Sequence, residues 1–399
     1  MTKSATYSKN YSLMTAILFW CGLVVLMSMY ITIPLTPVFT RSFHVSLARA
    51  AWMGSCFSLC YALGCLLYGP FSDRYGRKIF LTASMGLLAA VTLACGFTDH
   101  FYGLLLLRGV QGLVAAAFAP IALVYAGEMF PPAKRMTAVG FISSGLLMAG
   151  IAGQVFSSLV NEYWGWHTIF VILGVLYALT ALLVLVYLPK DDIARPQENI
   201  LMKFGQMSAL LKQTQLLLAF SVTFMLLLSL VGMYTILGSY LASAFHLTNQ
   251  DILYVRAAGI AGMLISPFAG RIAQKLGMIT VLRSGLALAA FGLLALGISP
   301  VLPLIVLMSV LFVAGIAIVT PMNISLISQL AGNARGSAIS FNAFILFLGA
   351  STGPLLALRL LQAGQYLFAF ESFGGILAIG LLLSFAIKPT QSASVRTAA

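Results

Sequence analysis

The sequence predicts an all-α polytopic membrane protein with twelve transmembrane helices in two six-helix, pseudo-symmetric halves. Of its 399 residues, 61% are hydrophobic and only 8% are charged. A chain of this composition cannot build a water-facing surface, because soluble domains have roughly a quarter of their residues charged. Twelve apolar runs of membrane-spanning length and an internal repeat complete the prediction.

The apolar runs are long enough to cross a bilayer, which takes about 20 residues per helix. Helices are forced in hydrocarbon, because each unpaired backbone N–H or C=O group there costs several kcal/mol. The runs also lack the alternating pattern of a membrane barrel. The predicted spans are residues 12–34, 48–71, 79–97, 101–127, 136–160, 168–188, 214–243, 251–270, 280–298, 303–327, 338–360 and 366–387.

An internal repeat relates the first half of the chain to the second. A near-constant offset over separate stretches indicates two halves with the same order of spans. We expect an N-terminal half at residues 1–188, a cytoplasmic linker at 189–213 and a C-terminal half at 214–399. The matching residues are Gly69 with Gly270, Gly76 with Gly277, Pro120 with Pro321, Gly153 with Gly353, and Phe43-His44 with Phe245-His246.

The basic residues predict the orientation of the chain. A net charge of +13 would favour nucleic acid as the partner of a soluble protein. Here most Lys and Arg residues lie in short connections on one predicted side, whereas the segments on the other side hold only Arg41 and Arg49. Basic loops stay in the cytoplasm. We therefore expect a protein of the inner (cytoplasmic) membrane with both termini in the cytoplasm, with the lipid bilayer and not nucleic acid as its partner.

Two short motifs carry a resemblance to a known family. Residues 69–78 read GPFSDRYGRK between the second and third spans, and residues 108–112 read RGVQG in the fourth. With twelve spans in two halves, the chain resembles the major facilitator superfamily, and within it the twelve-span drug:proton antiporter branch. This resemblance implies alternating access, a small-molecule substrate and proton coupling.

The first motif is expected to act as a conformational lock. Asp73 ends the second span beside the basic residues Arg74 and Arg77, and Gly76 permits a tight turn. Glu128 ends the fourth span on the same predicted side. The resemblance implies that these residues form a network that holds one state and breaks in the other. The alternative is that they only set topology and cap helices.

Arg108 is the most unusual residue inside a predicted span. An arginine within an apolar helix costs at least about 2.5 kcal/mol, so it should face protein or water and have acceptors, with Gln111 as a neighbour. The resemblance links this position to proton coupling, and the alternative is a purely structural arginine. No carboxylate lies in spans one, seven or ten, so Glu371, Asp73 and Glu128 remain as candidate proton carriers.

Polar, aromatic and thioether side chains in spans one, seven and ten suit adaptable recognition of amphipathic molecules. The alternative for each of these residues is that it only packs against neighbouring helices. Arg256, in span eight, favours an anionic or zwitterionic ligand if it faces the cavity, and loses that role if it pairs with Asp251. The cavity candidates are Tyr30, Thr32, Met233, Tyr234, Arg256, Met322 and Asn323.

Together these features predict a secondary active transporter, a proton-coupled exporter of small amphipathic compounds. The alternatives are export of an anionic or zwitterionic metal chelator and import of a sugar or organic acid. The sequence contains no Gly-x-x-x-x-Gly-Lys-Ser/Thr loop, so an ion gradient rather than ATP is the expected energy source. The histidines do not cluster, so we expect no metal, no cofactor and no enzymatic activity. We expect a monomer.

Overall fold

The computed structural model describes residues 10–191, 208–299, 301–363 and 365–388, without the side chains of residues 47, 48, 69, 70, 73, 249 and 363. All regular structure in these ranges is helical, and twelve helices are long and apolar enough to cross a membrane. The predicted fold class is therefore confirmed.

The first six spans are formed by eight helices. Polar caps begin two of them: the Asn10 side chain accepts the Leu13 N–H, and the Ser46 hydroxyl accepts the Arg49 N–H. The helices are α1 (Tyr11–Tyr30), α2 (Thr32–Ser42), α3 (Leu47–Tyr75), α4 (Arg77–Gly96), α5 (Phe101–Ala115), α6 (Phe118–Met129), α7 (Pro132–Trp164) and α8 (Trp166–Tyr187).

The last six spans are formed by seven α-helices and one short 3-10 turn, Gly332–Ala334. A capping box begins the second of these helices, with Thr248 and Asp251 satisfying each other's backbone N–H groups. The helices are α9 (Thr214–Ala244), α10 (Asn249–Met263), α11 (Ser266–Leu276), α12 (Met278–Ile298), α13 (Leu302–Leu330), α14 (Arg335–Ala363) and α15 (Tyr366–Ala386).

Three spans consist of two helices each, and a proline follows each break. A proline lacks the N–H for the helical hydrogen bond and its ring clashes with the carbonyl four residues earlier. Pro34 stands four residues after Tyr30, the last residue of α1, and Pro267 stands four after Met263, the last of α10. Pro120 lies in α6, shortly after α5 ends. Each of these spans therefore runs as two successive helices.

Backbone conformation supports the repeat at single residues. The only described non-glycine residues with positive φ are His44 and His246, both at 51°. Gly76 and Gly277 follow the second and eighth spans with φ values of 111° and 87°, a conformation that glycine adopts without strain. Residues matched by the sequence offset therefore make the same turns in both halves.

Close helix contacts also repeat. A Cβ atom added at Gly153 in α7 would lie 2.9 Å from the Met27 carbonyl oxygen in α1. A Cβ atom at Gly353 in α14 would lie 2.5 Å from the Leu228 carbonyl oxygen in α9. Small residues let membrane helices approach backbone to backbone. In each half, a glycine of the fifth span thus allows that helix to contact the backbone of the first span.

Within the described residues the chain divides into two compact units, Met1–Gly64 with Phe71–Gln197 and Cys65–Pro70 with Glu198–Ala399. We keep halves 1–188 and 214–399 as the proposed domains. Of the proposed linker 189–213, residues 192–207 lie outside the described residues. The first span is longer than the predicted residues 12–34, because helix α2 continues it to Ser42.

Substitution of Gly112 tests the packing of α3 on α5. A Cβ atom at Gly112 would overlap the carbonyl oxygen of Phe57, which belongs to backbone and cannot rotate away. We expect Gly112→Ala to cost about 1–3 kcal/mol of stability, seen as a lower thermal unfolding midpoint in detergent. Gly86→Ala is the control, because a Cβ atom there meets nothing within 4 Å. Equal midpoints for the two variants would contradict the close contact.

Candidate functional site

An ionic cluster, here called the Arg77 cluster, is formed by Ser72, Arg77, Glu128 and Asp191. Arg77 begins α4 directly after the Gly76 turn and is 4% exposed. Its Nη2 lies 3.0 Å from Oε1 of Glu128 at the end of α6, and its Nε donates to Oε2 at 3.3 Å. Its Nη1 donates to the Ser72 hydroxyl at 2.6 Å. The guanidinium thus ties together the ends of α3, α4 and α6.

Sequence reasoning missed two members of this cluster, Ser72 and Asp191, and Asp191 is the more distant of them in sequence. Its carboxylate accepts the backbone N–H groups of Arg77 at 2.7 Å and Lys78 at 3.2 Å, which caps the positive N-terminus of α4. The chain just before it is held as well, because the Tyr125 hydroxyl donates to the Pro189 carbonyl at 2.8 Å. Asp191 is 113 residues from Lys78 in sequence, so no local pattern pairs them.

The remaining residues of the predicted lock are placed differently. Asp73 lies in the last turn of α3, and its side chain is outside the described part of the chain. Arg74 is exposed, with its guanidinium carbon 5.4 Å from the centre of the Tyr75 ring. The structure therefore brings Arg77 and Glu128 together at the Gly76 turn. A role for these residues in switching between states remains a proposal.

A second network surrounds Arg108, which is fully buried in α5. Its Nε donates to the Met53 carbonyl at 3.2 Å, Nη2 donates to the Ser28 carbonyl at 2.8 Å, and Nη1 donates to Gln111 at 2.5 Å. Its guanidinium carbon lies 4.4 Å from the centre of the Phe57 ring. Arg108 thus joins α1, α3 and α5 through neutral acceptors.

Gln111 extends the Arg108 network to α4. Its amide nitrogen donates to the Thr92 hydroxyl at 2.7 Å and to the Ser28 hydroxyl at 3.4 Å. The Ser28 hydroxyl is also hydrogen-bonded to the Tyr177 hydroxyl, which donates to the Val24 carbonyl at 2.8 Å. The network therefore reaches α8. Nothing in the sequence around the Thr92, Ser28 and Tyr177 hydroxyls predicts that they belong to it.

The predicted cavity residues fall into buried and half-buried groups. Met233, Met322 and Asn323 are at most 1% exposed, and Asn323 donates to the Ala219 carbonyl at 2.9 Å and the Thr223 hydroxyl at 2.8 Å. Thr32 is 2% exposed. Tyr30, Tyr234 and Arg256 are half-buried, and Glu371 is exposed on α15. Arg256 Nη2 donates to the Tyr234 carbonyl at 3.0 Å.

No group of three or more metal-ligating side chains occurs among the described residues. The described cysteines Cys21, Cys56, Cys60, Cys65 and Cys95 form no disulfide. The described residues instead place buried or half-buried polar side chains, Arg77, Arg108, Arg256 and Asn323 among them, inside membrane-spanning helices.

Comparison with known proteins identifies the family. The family model described as Major Facilitator Superfamily matches residues 18–354 and 257–398. The chain therefore belongs to the major facilitator superfamily, as its two motifs predicted, and is a multi-pass membrane transporter of that family.

Individual relatives agree with this assignment. The chain is 28% identical over 366 residues to the "Uncharacterized MFS-type transporter YceJ" of Bacillus subtilis (strain 168), covering 90% of this chain and 91% of the relative. It is 23% identical to "Multidrug resistance protein MdtG" of Rahnella sp. (strain Y9602), with 81% of each chain covered. The solved human organic anion transporter MFSD10 shares the fold, with a TM-score of 0.81 at 16% identity over 94% of this chain and 99% of that one.

A double-mutant cycle measures the Arg77–Glu128 contact. Because the side chains are only 5% and 22% exposed, we expect a coupling energy of about 1 kcal/mol or more between Arg77→Gln and Glu128→Gln in thermal unfolding. The His167–Asp99 pair is the control, because its side chains are 44% and 84% exposed and its coupling should be close to zero. Additive effects of the Arg77 and Glu128 substitutions would refute the buried contact.

Arg108 variants separate bracing from charge. The guanidinium holds three acceptors from three helices in a planar fork, which a lysine ammonium cannot reproduce. We expect Arg108→Lys and Arg108→Gln each to lower the free energy of unfolding by about 1–3 kcal/mol, seen as similar decreases in the thermal unfolding midpoint. Arg359→Gln, at an exposed arginine in α14, is the control. A wild-type midpoint for Arg108→Lys would show that charge, not geometry, is what the site needs.

Proposed function

We propose that this protein is a proton-coupled exporter of small amphipathic compounds that works by alternating access. The observation that carries the proposal is the Arg77 cluster, in which the motif of residues 69–78 holds Glu128 by an ion pair with little exposure to solvent. The relative MdtG is named as a multidrug resistance protein, which supports export of drug-like compounds.

Glu128 is the proposed link between protons and conformation. The Arg77–Glu128 bond requires an ionised carboxylate, and protonation of Glu128 removes the acceptor charge that holds the guanidinium. The bond joins the ends of α4 and α6, so its loss frees these ends to separate. In this mechanism the proton gradient acts by weakening one ion pair rather than by a carboxylate deep in the membrane.

The half-buried aromatic residues suit amphipathic substrates. Tyr30 in α1 and Tyr234 in α9 each present a ring with one polar tip, which accommodates ligands of varied shape. Gly150 in α7 lies against Tyr30, where an added Cβ atom would be 3.5 Å from the ring. An aromatic ring binds a ligand through its apolar surface area and needs no fixed hydrogen-bond pattern, as expected for an exporter of several compounds.

Flux measurements in everted membrane vesicles test the proposal. The vesicles are energised to an acid interior and challenged with cationic dyes, anionic chelators and sugars, with a fluorescent ΔpH probe as the readout. An exporter that exchanges compound for protons dissipates the gradient and accumulates compound inside. We expect this for at least one amphipathic compound, and loss of it in Glu128→Gln.

Two controls make the result decisive. Vesicles without the protein, and vesicles treated with a protonophore, should show no protein-dependent accumulation. Accumulation that survives the protonophore would overturn proton coupling. Sugar or organic-acid movement only in right-side-out vesicles, in the direction of proton entry, would replace export by import.

A further inference from the structure

We propose that Arg283 is the centre of a binding site for an anionic phospholipid in the C-terminal unit. Its guanidinium binds the lipid phosphate, and an exposed apolar side of α15 receives an acyl chain. The site goes beyond the proposed export function and does not depend on it, because the bilayer supplies the ligand whichever compound is transported. The helices that form it, α9, α12 and α15, belong to one compact unit.

The start of α9, the start of α12 and the end of α15 lie together at one end of this unit, here called the Arg283 end. Gln215 in α9 donates its amide N–H to the Ala386 carbonyl at 3.4 Å and accepts the Lys388 N–H at 2.8 Å. Arg283 in α12 donates from Nη2 to the Ser384 carbonyl at 3.1 Å. Two helices of the unit thus hold the end of α15 by side-chain hydrogen bonds.

The described carboxylates of the C-terminal unit lie away from the Arg283 end. Asp251 is in the first turn of α10, which follows the far end of α9, and Glu371 belongs to the second turn of α15. The far end of α9 also meets the start of α15, because the hydroxyls of Ser243 and Tyr366 are hydrogen-bonded at 2.8 Å. Both carboxylates therefore belong to the opposite end of the unit.

Basic residues collect at the Arg283 end instead. Successive spans run in opposite directions, so the α11–α12 and α13–α14 connections lie at this end as well. Because no described carboxylate of the unit accompanies them, the basic residues attract anions to this end. The described basic residues here are Lys212, Arg271, Lys275, Arg283, Arg335 and Lys388.

Arg283 is set into its span and reaches the outer surface there. It lies about 7–8 Å along the axis from the first residue of α12 and is half-buried. Its guanidinium carbon is 4.4 Å from the centre of the Phe385 ring, and Phe385 is 60% exposed. The guanidinium therefore lies against a ring on the outside of the unit.

The positive charge of Arg283 is held in position but is not neutralised. Its contacts are a neutral carbonyl and an aromatic ring, and it forms no ion pair within the described part of the chain. Nε is buried without an acceptor, whereas Nη1 has no described acceptor and is not buried. Nη1 is therefore the nitrogen that a ligand can reach, and a phosphate oxygen would supply both an acceptor and a negative charge.

An apolar stripe on α15 leads from Phe385 toward the middle of the span. Leu382 and Ile379 precede Phe385 at intervals of three residues, which makes them neighbours on the helix surface, and both are exposed. An acyl chain can lie along these side chains while its phosphate is bound at Arg283. The site therefore offers contacts to both parts of a phospholipid.

The charge of the site selects anionic lipids over zwitterionic ones. A lipid phosphate accepts guanidinium N–H groups in both classes, but phosphatidylcholine adds a cation that the surrounding basic residues repel. A soluble phosphate gains the charge interaction without the acyl-chain contact. Phosphatidylglycerol, with one negative charge and a neutral headgroup alcohol, fits both features of the site.

Native mass spectrometry tests the site, because it counts individual lipids bound to the protein. The purified full chain, freed of lipid in a non-ionic detergent, is titrated with phosphatidylglycerol and separately with phosphatidylcholine of the same acyl chains. We expect the first phosphatidylglycerol to bind about tenfold more tightly than the first phosphatidylcholine. Glycerol 3-phosphate, which carries the phosphate without acyl chains, should not displace it at equal concentration.

Three variants assign the binding to Arg283. Arg283→Gln should weaken binding of the first phosphatidylglycerol about tenfold, because a hydrogen bond between charged groups is lost. Arg283→Lys keeps the charge without the planar fork and should lose about threefold. It also carries the test if Arg283→Gln does not elute as the wild type does in size-exclusion chromatography.

Arg271→Gln is the matched control. It removes the same charge from the same end of the unit, at an exposed arginine whose guanidinium carbon lies 5.9 Å from the centre of the Phe268 ring. Because an exposed charge is screened by salt, this variant should lose less than about twofold in affinity.

Each outcome decides for or against the site. Equal losses in Arg271→Gln and the Arg283 variants would show diffuse attraction to a basic surface and overturn it, as would equal affinity for the two lipids. Displacement of phosphatidylglycerol by glycerol 3-phosphate would assign Arg283 to a soluble phosphate instead. Arg283-dependent binding of phosphatidylglycerol in a protein that shows no proton-driven flux would support the lipid site and reject the proposed exporter.

Discussion

The cost of an arginine inside an apolar helix bundle governs how the N-terminal unit is built. Arg108 is fully buried, and its guanidinium finds its acceptors on three helices. The hydrocarbon core contains no water that could accept hydrogen bonds from the guanidinium. The helices must therefore pack closely enough for their own carbonyl and side-chain oxygens to accept these bonds. Gly112, one turn further along α5, permits that approach by exposing its backbone to Phe57. Burial of the Arg108 charge therefore requires the close packing of α3 on α5.

Packing in both units depends on contacts of backbone with backbone rather than on burial from water. Lipid is as apolar as leucine, so membrane helices gain little from hiding apolar side chains from it. Association then comes from close approach, which glycines provide at Gly153 against Met27 and at Gly353 against Leu228. These pairs are related by the sequence repeat, which explains why the repeat persists at glycines while most apolar residues between them differ. At both crossings an added Cβ atom would lie within 3 Å of a carbonyl oxygen of the neighbouring helix, so a larger residue would force the backbones apart.

The sequence was sufficient for the fold because bilayer thickness and backbone pairing leave few solutions. Twelve apolar runs predict twelve helical spans almost without reference to side-chain detail, and the Gly76–Gly277 and His44–His246 turns follow from the offset. The site was harder to predict. Asp191 joins Arg77 across more than a hundred residues, and the hydroxyl partners of Gln111 look like any polar residue in an apolar run. The acceptor that a donor binds is determined by how the helices pack, and this packing cannot be derived from a single sequence.

The two units use their charges in different ways. In the N-terminal unit, Arg77 is bound to Glu128 and Arg108 is bound to neutral acceptors, so both guanidinium groups stabilise the arrangement of helices. In the C-terminal unit, the bare backbone of Gly238 and Gly259 makes room for the side chains of Arg256 and Tyr234, and the buried Tyr234 hydroxyl has no hydrogen-bond partner among the described residues.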